Sequence, residues 1–223
     1  SCVFKNCSVT NSGIYNNSAY GVAMLIGGRA INYNSSPLKE LGPVAITGCE
    51  VYAPNMNNAV LVDDIGSVSA VKGASIVGNN VKGGTVVAAV VRAAGGTFVN
   101  ATVANNVVSD YVADAVAATV CRPSTALSVG WSTFSGNSAP YEFYVTGNYK
   151  LTLTSSVVWS GASGWTAYGS STAASVNNGI AFANSCMKGI DSQSAYFSGE
   201  NAYTAVPVFA AKLKKWSDGR LFV

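Results

Sequence analysis

Short apolar segments alternate with turn-forming residues along nearly the whole chain. Tyr20–Ile26, Ala59–Val62 and Glu142–Val145 are each followed within a few residues by Gly, Asp or Asn, and Lys150–Thr154 alternates strictly between apolar and polar positions. Runs of β-branched and aromatic residues bounded by turn residues predict strands joined by short turns. A helical period is nearly absent, and the one candidate helix is the segment Pro207–Trp216.

A four-residue block recurs seven times, with a small residue, a small residue or Cys, one further position and usually an aliphatic. The start-to-start spacings are 42, 25, 27, 30, 25 and 29 residues. A repeat of this length is typical of a coil that stacks on its own copies, and each period has room for two or three strands. The copies begin at Asn6, Gly48, Gly73, Asn100, Gly130, Ser155 and Asn184.

Asn, Gly and Asp recur where one predicted strand gives way to the next. Asn79-Asn80, Asn105-Asn106 and Gly136-Asn137 occupy corresponding places after their blocks. These residue types tolerate the left-handed backbone of a one-residue corner between strands. Asn side chains stacked in successive coils can also hydrogen-bond to one another. The recurrence favours a coil whose strands pair in parallel one turn apart over a meandering antiparallel sandwich.

The blocks and their Asn-bearing corners resemble those of the right-handed parallel β-helix superfamily, the pectate-lyase-like fold, over residues 1–205. The resemblance implies an all-β, single-stranded right-handed parallel β-helix of about 7–8 coils, with residues 206–223 as a short helix or irregular tail. Phe134–Ala139, Ile14–Ala19 and Gly27–Ile31 are similar to repeats of polymorphic outer-membrane-protein adhesins. The architecture is also similar to that of phage tailspike-like proteins.

The composition describes a folded chain with an uncharged polar surface. Hydrophobic residues make up 49% of the 223 residues, charged residues make up 10%, and the formal net charge is +3. This apolar content argues against disorder. The chain has no run of about 18 apolar residues, the length that a helix needs to span a membrane. It also lacks the basic patch of a nucleic-acid-binding protein. We therefore expect neither a transmembrane segment nor a nucleic-acid partner.

The chain contains no His, and its five Cys show no Cys-x-x-Cys spacing, so no zinc site is expected. Cys7 and Cys49 occupy the same place in their blocks, as do Ala74 and Ala101. In neighbouring coils the two Cys would stack roughly 5 Å apart, a distance that allows a disulfide. The alternative, which we prefer, is that they are small buried apolar residues.

The best candidate for catalysis is Asp63-Asp64, with Asp110 and Asp114 about two coils further along. Paired carboxylates about 5–9.5 Å apart can cleave a glycosidic bond, and such oxygens can bind Ca²⁺ with a basic residue such as Arg92 beside them. The resemblance implies, however, that a hydrolase would need a His. The strand Thr85–Arg92 also separates the two acidic coils. We therefore expect no catalytic residue, metal or cofactor, and Ca²⁺ only under the lyase alternative.

Aromatic residues near the predicted turns offer a second kind of site. Tyr141, Tyr144, Trp159 and Trp165 lie in the later repeats, and exposed rings of this kind bind sugars by apolar stacking. The alternative is that these rings fill the coil interior. Trp131 shares its block position with Cys49 and Ala74, so an inward Trp131 would require a wider coil.

The low charge, the lack of His and the strand-like ends of the chain favour a non-enzymatic, surface-exposed β-solenoid. We expect a structural or adhesive protein of a cell surface, an extracellular filament or a virion. Its partners would be other protein subunits, in a homo-oligomer or a larger assembly, or a surface polysaccharide. The alternatives are a polysaccharide lyase or glycosidase of the tailspike kind and a carbohydrate-binding module.

Overall fold

The computed structural model describes residues 2–10, 22–27, 40–41, 43–64, 70–93, 96–122, 126–145, 151–159, 167–168, 180–187, 197–203, 214–215 and 221–222. Over these ranges the chain forms strands and turns, with no helix. The part of the chain that the structure describes contains no helix long and apolar enough to cross a membrane.

The strands are short and follow one another at close intervals. The first are β1 (Cys2–Lys5), β2 (Ser8–Thr10), β3 (Val22–Gly27), β4 (Glu40–Leu41), β5 (Val44–Thr47), β6 (Glu50–Ala53) and β7 (Asn58–Asp64). The next are β8 (Ala70–Lys72), β9 (Ser75–Val77), β10 (Asn80–Gly83), β11 (Val87–Ala93), β12 (Gly96–Val99), β13 (Thr102–Ala104), β14 (Val107–Ser109) and β15 (Val116–Arg122). The last are β16 (Leu127–Gly130), β17 (Thr133–Ser135), β18 (Tyr141–Val145), β19 (Leu151–Thr154), β20 (Val157–Trp159), β21 (Ala167–Tyr168), β22 (Ile180–Met187), β23 (Phe197–Tyr203), β24 (Lys214–Lys215) and β25 (Leu221–Phe222).

The strands stack in four columns, in each of which neighbours pair in parallel. The first column contains β4, β8, β12, β16 and β19, and the second contains β1, β5, β9, β13, β17 and β20. β22 pairs with β19, β20 and β23, so the two columns, β22 and β23 form one 13-stranded sheet. The third column contains β2, β6, β10 and β14, and the fourth contains β3, β7, β11, β15, β18 and β21.

This arrangement is the parallel β-solenoid that the repeat predicted. Three successive coils, beginning at β4, β8 and β12, carry a strand in every column. Each of these coils therefore holds four strands, where the repeat period predicted two or three. A total of seven to eight coils stays a prediction. So does the division at residue 205. Within the tail, β24 pairs antiparallel with β25, so Lys214 and Lys215 are extended rather than helical.

One-residue corners separate the first three columns. Gly73, Asn100, Trp131, Ser155 and Asn184 form the first corner, between the first and second columns, with φ between 45° and 64°. Asn6, Gly48, Gly78, Asn105 and Gly136 form the second corner, between the second and third columns, with φ between 53° and 67°. The prediction of left-handed corners is confirmed. A single residue in this region redirects the strand without a loop.

The seven copies of the sequence block do not occupy equivalent positions, because they fall at two different corners of the coil. The prediction that they are equivalent was wrong. The copies from Asn6 and Gly48 lie at the second corner, while the later copies lie at the first. The copy begun at Gly130 is displaced by one residue, because Trp131 is the corner residue. Both corners use a left-handed residue followed by a small buried one, so local sequence does not distinguish them.

The interior is a stack of buried apolar side chains, with one row for each position of the coil whose side chain faces inward. Ile46, Ile76, Val103, Phe134 and Val158 form the row of the second column and are fully buried. Phe134 also meets Phe98 and Phe143 edge to face, with ring centroids 5.6 and 4.8 Å apart. Burial of side chains this large stabilises the fold by about 1.5–3 kcal/mol each.

Buried Asn side chains connect the coils behind the second corner. The Nδ2 of Asn79 donates to Oδ1 of Asn106, and the Nδ2 of Asn106 donates to Oδ1 of Asn137, both at 2.9 Å. Each Oδ1 also accepts the backbone N–H of the preceding coil, from Cys49, Asn79 and Asn106 respectively. The last amide, Asn137, donates to Oε1 of the buried Glu142 at 2.7 Å. The predicted Asn stacking is therefore confirmed.

Ser side chains connect the coils behind the first corner in a similar way. The Oγ atoms of Ser132, Ser156 and Ser185 accept the backbone N–H of Ala101, Ser132 and Ser156 respectively, at 3.0–3.2 Å. Each hydroxyl donates in turn to the carbonyl two residues before it. These buried hydroxyls supply acceptors to backbone groups that the corner removes from regular strand pairing.

Asn106→Ala tests the Asn stack. The substitution removes the acceptor of two Asn79 donors and the donor to Ile76 O. A buried polar group without a partner costs about 1–3 kcal/mol, so we expect the free energy of unfolding to fall by at least about 2 kcal/mol in urea denaturation.

Asn105→Gly is the matched control, because Asn105 is exposed and its φ of 53° suits glycine. We expect a change within about 0.5 kcal/mol. Equal losses in the two variants would show that the stack does not stabilise the coils.

Candidate functional site

Three of the predicted site residues, Asp63, Arg92 and Tyr144, lie in one row of the fourth column together with Cys121. Asp63, Arg92, Cys121 and Tyr144 are direct neighbours on β7, β11, β15 and β18. The sequence predicted that Arg92 rather than an acid would stand beside Asp63, and the pairing confirms this. This row, Asp63–Arg92–Cys121–Tyr144, is called the fourth-column row below.

Asp63 and Arg92 form a bidentate ion pair. Arg92 Nε donates to Oδ1 of Asp63 at 2.8 Å, and Nη2 donates to Oδ2 at 2.7 Å. The Asp63 side chain is fully buried, and that of Arg92 is 13% exposed. A bidentate guanidinium–carboxylate pair is among the strongest hydrogen-bonded arrangements in proteins. Both carboxylate oxygens of Asp63 therefore face Arg92, and the side chain has no solvent-accessible surface.

Two of the other acids of the predicted cluster, Asp110 and Asp114, lie away from Asp63. Asp64 ends β7, and its side chain lies outside the described residues. Asp110 follows β14 in the third column with φ 55°, and Asp114 lies in the turn that follows; both are exposed. Asp110 and Asp114 therefore lie between the end of the third column and the start of the fourth, whereas Asp63 lies near the end of its strand in the fourth column.

Asp110 instead belongs to a charged group on the third column. Lys82 Nζ donates to Oε2 of Glu50 at 2.9 Å, and both side chains are about one-third exposed, at 36% and 39%. The Glu50 carboxylate, chiefly through this hydrogen bond, raises the pKa of Lys82, and Asp110 adds a smaller effect in the same direction. This is an exposed ion pair, which contributes little to stability.

Two of the four candidate sugar-binding rings lie on β18: Tyr144 belongs to the fourth-column row, and Tyr141 packs beside it. Tyr141 and Tyr144 are half-buried, with ring centroids 5.6 Å apart, and pack against Ala89, Ala118 and Cys121. Trp159 is half-buried at the end of β20, and Trp165 lies outside the described residues. The four rings do not share one row, so their role in sugar binding stays a prediction.

Cys7 and Cys49 occupy equivalent positions in neighbouring coils, as predicted, but they stack with Asn79 and not with Ala74. Both carry free thiols, and Cys49 is buried. Burial raises the pKa of the Cys49 thiol, partly offset by a backbone hydrogen bond from Cys7. Within the described residues no three His, Cys, Asp or Glu side chains form a metal-binding group.

Trp131 is a surface residue, and the structure thereby decides between the exposed and inward positions that the sequence left open. Trp131 is 66% exposed, and its φ of 45° lies in the left-handed region. For a bulky L-residue this backbone costs on the order of 1–2 kcal/mol. The misaligned block gave Trp131 the same position as Cys49 and Ala74, which are buried. A correct alignment with Asn100 and Ser155 would have placed it at the corner.

The chain was compared with protein-family models, with curated proteins and with solved structures, and none of them matches it. The parallel β-solenoid is therefore established by the strand pairing alone.

Asp63→Asn tests the ion pair. The variant leaves the mostly buried Arg92 without its counter-charge, and breaking a buried pair costs about 3–5 kcal/mol. We expect a loss of that size in the free energy of unfolding, measured by urea denaturation. Asp110→Asn, at an exposed acid, should change it by less than about 0.5 kcal/mol. The burial argument fails if the two variants are equally stable.

The Cys121 thiol makes the stability depend on alkaline pH. Burial raises its pKa to about 12, from the ordinary thiol value of 9.0, against the opposing effect of Arg92. Between these values the unfolded chain loses the proton and the folded chain keeps it. The stability contributed by the neutral thiol is thus fully present below about pH 9 and lost as the pH rises toward about 12, at about 1.4 kcal/mol per pH unit.

Cys121→Ala should therefore flatten the decline in stability between pH 9 and pH 11 relative to the unaltered protein. The measurement is urea denaturation at several pH values in the presence of a reductant. Lys and Tyr titrate in both proteins, so the difference between the curves reports Cys121. Parallel curves would contradict the expectation.

Proposed function

We propose that the chain is a non-enzymatic, surface-exposed β-solenoid with a structural or adhesive role on a cell surface, an extracellular filament or a virion. Its full form would be a right-handed parallel β-helix of about seven to eight coils. Its partners would be further protein subunits, including copies of itself, or a surface polysaccharide.

The observation that carries this proposal is the state of Asp63. The acid on which a lyase or glycosidase site would be centred is fully buried and held at both oxygens by Arg92. A general acid or a Ca²⁺ ligand needs at least one oxygen directed at substrate or metal. Here the charge instead stabilises the coil in which it lies.

The buried polar side chains support the same conclusion. Asn79, Asn106 and Asn137 spend their hydrogen-bonding groups on one another and on the backbone, as do the Ser residues of the first corner. Buried polar groups that satisfy each other contribute to the uniqueness of a fold. The buried polar side chains of the described solenoid therefore hold its coils together, which is what a building or spacing element requires.

The test has two arms with the full chain. In the first, negative-stain micrographs and pull-down on immobilised polysaccharides measure assembly and binding. In the second, the protein is incubated with a panel of acidic polysaccharides, with and without Ca²⁺, and the products are assayed. We expect end-to-end assemblies or retention on a polysaccharide, and no new reducing ends or unsaturated products.

Two results would overturn the proposal. One is product formation that disappears in Asp110→Asn or Asp114→Asn, since those exposed acids remain available for chemistry. The other is a protein that neither assembles nor is retained on any surface polymer.

A further inference from the structure

Trp131 occupies a corner position that the fold otherwise fills with small residues. Gly73, Asn100, Ser155 and Asn184 stand at the same place in the other described coils, all with positive φ. The Trp131 backbone is held in register, since its N–H donates to Thr154 O and the Asn100 N–H donates to Gly130 O. A bulky side chain is thus placed where the backbone favours Gly or Asn.

Packing does not account for this residue. The side chain is 66% exposed, the highest value among the large apolar residues of the described chain. Because the indole is mostly exposed, its burial does not offset the free-energy cost of the left-handed backbone at Trp131. Strain that the packing does not explain marks a position where function selects the residue.

The surroundings of Trp131 are uncharged. The six strands that flank this part of the first corner contain no charged residue: β12 (GTFV), β13 (TVA), β16 (LSVG), β17 (TFS), β19 (LTLT) and β20 (VVW). Asn100 and Ser128 are exposed beside Trp131, and Ser155 is half-exposed one coil further. Successive corner residues are about 4.8 Å apart, the spacing of neighbouring strands.

We propose that Trp131 is a sugar-binding residue whose indole stacks on a neutral hexose ring of a surface polysaccharide. Asn100 and Ser155, at the same corner in the neighbouring coils, and Ser128 on the preceding strand offer amide and hydroxyl groups that match sugar hydroxyls. The inference deepens the adhesive function proposed above and rests on it.

A sugar fits this surface better than a second protein chain does. A stable protein interface buries about 800 Å² on each partner, and one aromatic side chain supplies about 150–250 Å². The other exposed large apolar residues of the described chain lie apart from Trp131: Tyr52 in the third column, Val86 and Val112 in turns, and Val3 in the second column but four coils earlier. A neutral ring stacked on a single indole requires no larger patch.

The test compares the full-length protein with Trp131→Gly in affinity electrophoresis through gels that contain neutral polysaccharides: a β-glucan, an α-glucan, a mannan and a galactan. We expect at least one polymer to retard the unaltered protein, and the retardation to persist at 1 M NaCl because no charge is involved. Trp131→Gly should weaken this binding at least tenfold and raise Tm by a few degrees, since glycine relieves the backbone.

Two matched variants separate stacking from general surface effects. Trp131→Tyr keeps an aromatic face and should retain most of the binding. Val86→Ser alters a residue that is 53% exposed away from the first corner and should bind as the unaltered protein does.

Each remaining outcome counts against the inference. A lower Tm in Trp131→Gly would show that the indole stabilises the fold, and unchanged retardation would show that it does not contact the sugar. The absence of retardation by all four polymers would also overturn it. Polysaccharide cleavage by the unaltered protein would instead refute the adhesive function while leaving Trp131-dependent binding intact, so the two failures are distinguishable.

Discussion

Hydrogen bonds between polar groups buried at the corners of successive coils are the interaction on which the stacking of this solenoid depends. The side chains of Asn79, Asn106 and Asn137 each accept a backbone N–H of the preceding coil. Asn79 and Asn106 also donate to the following amide and to a carbonyl, whereas Asn137 donates to Val103 O and to Glu142. The stack ends at Glu142, whose carboxylate accepts from Asn137. The Oε1 atom of Glu142 acts as an acceptor, which suits a group that terminates a row of amide donors.

The same constraint shapes the surface of the described chain. Because amides and hydroxyls satisfy the corners, the coils need few charges, and the bidentate pair of Asp63 and Arg92 is enclosed in the fold. The outer strands around the first corner carry hydroxyl and small apolar side chains. Recognition at such a surface depends on stacking and hydrogen bonding more than on charge attraction.

Much of the fold could be predicted from particular residues. Asn105 and Gly136 indicated corners because few residues tolerate the left-handed backbone, and the repeat period indicated parallel stacking. In the coil before them the corner residue is Gly78, and the predicted pair Asn79-Asn80 follows it. The separation of Asp63 from Asp110 by the strand that carries Arg92 was also visible in the sequence. The assignment of Cys49 and Ala74 to one corner was not correct, because the same two-residue pattern serves both corners.

The sequence by itself determined the architecture, since a period near 27 residues with left-handed corner residues leaves few alternatives to a stacked coil. Only the tertiary structure decided which residues share a row. Register between coils sets whether Asp63 meets Arg92 or solvent, and whether Trp131 points inward or stands on a corner. A shift of one residue exchanges the inner and outer faces of a strand, and this choice depends on contacts between segments about one coil apart in the chain.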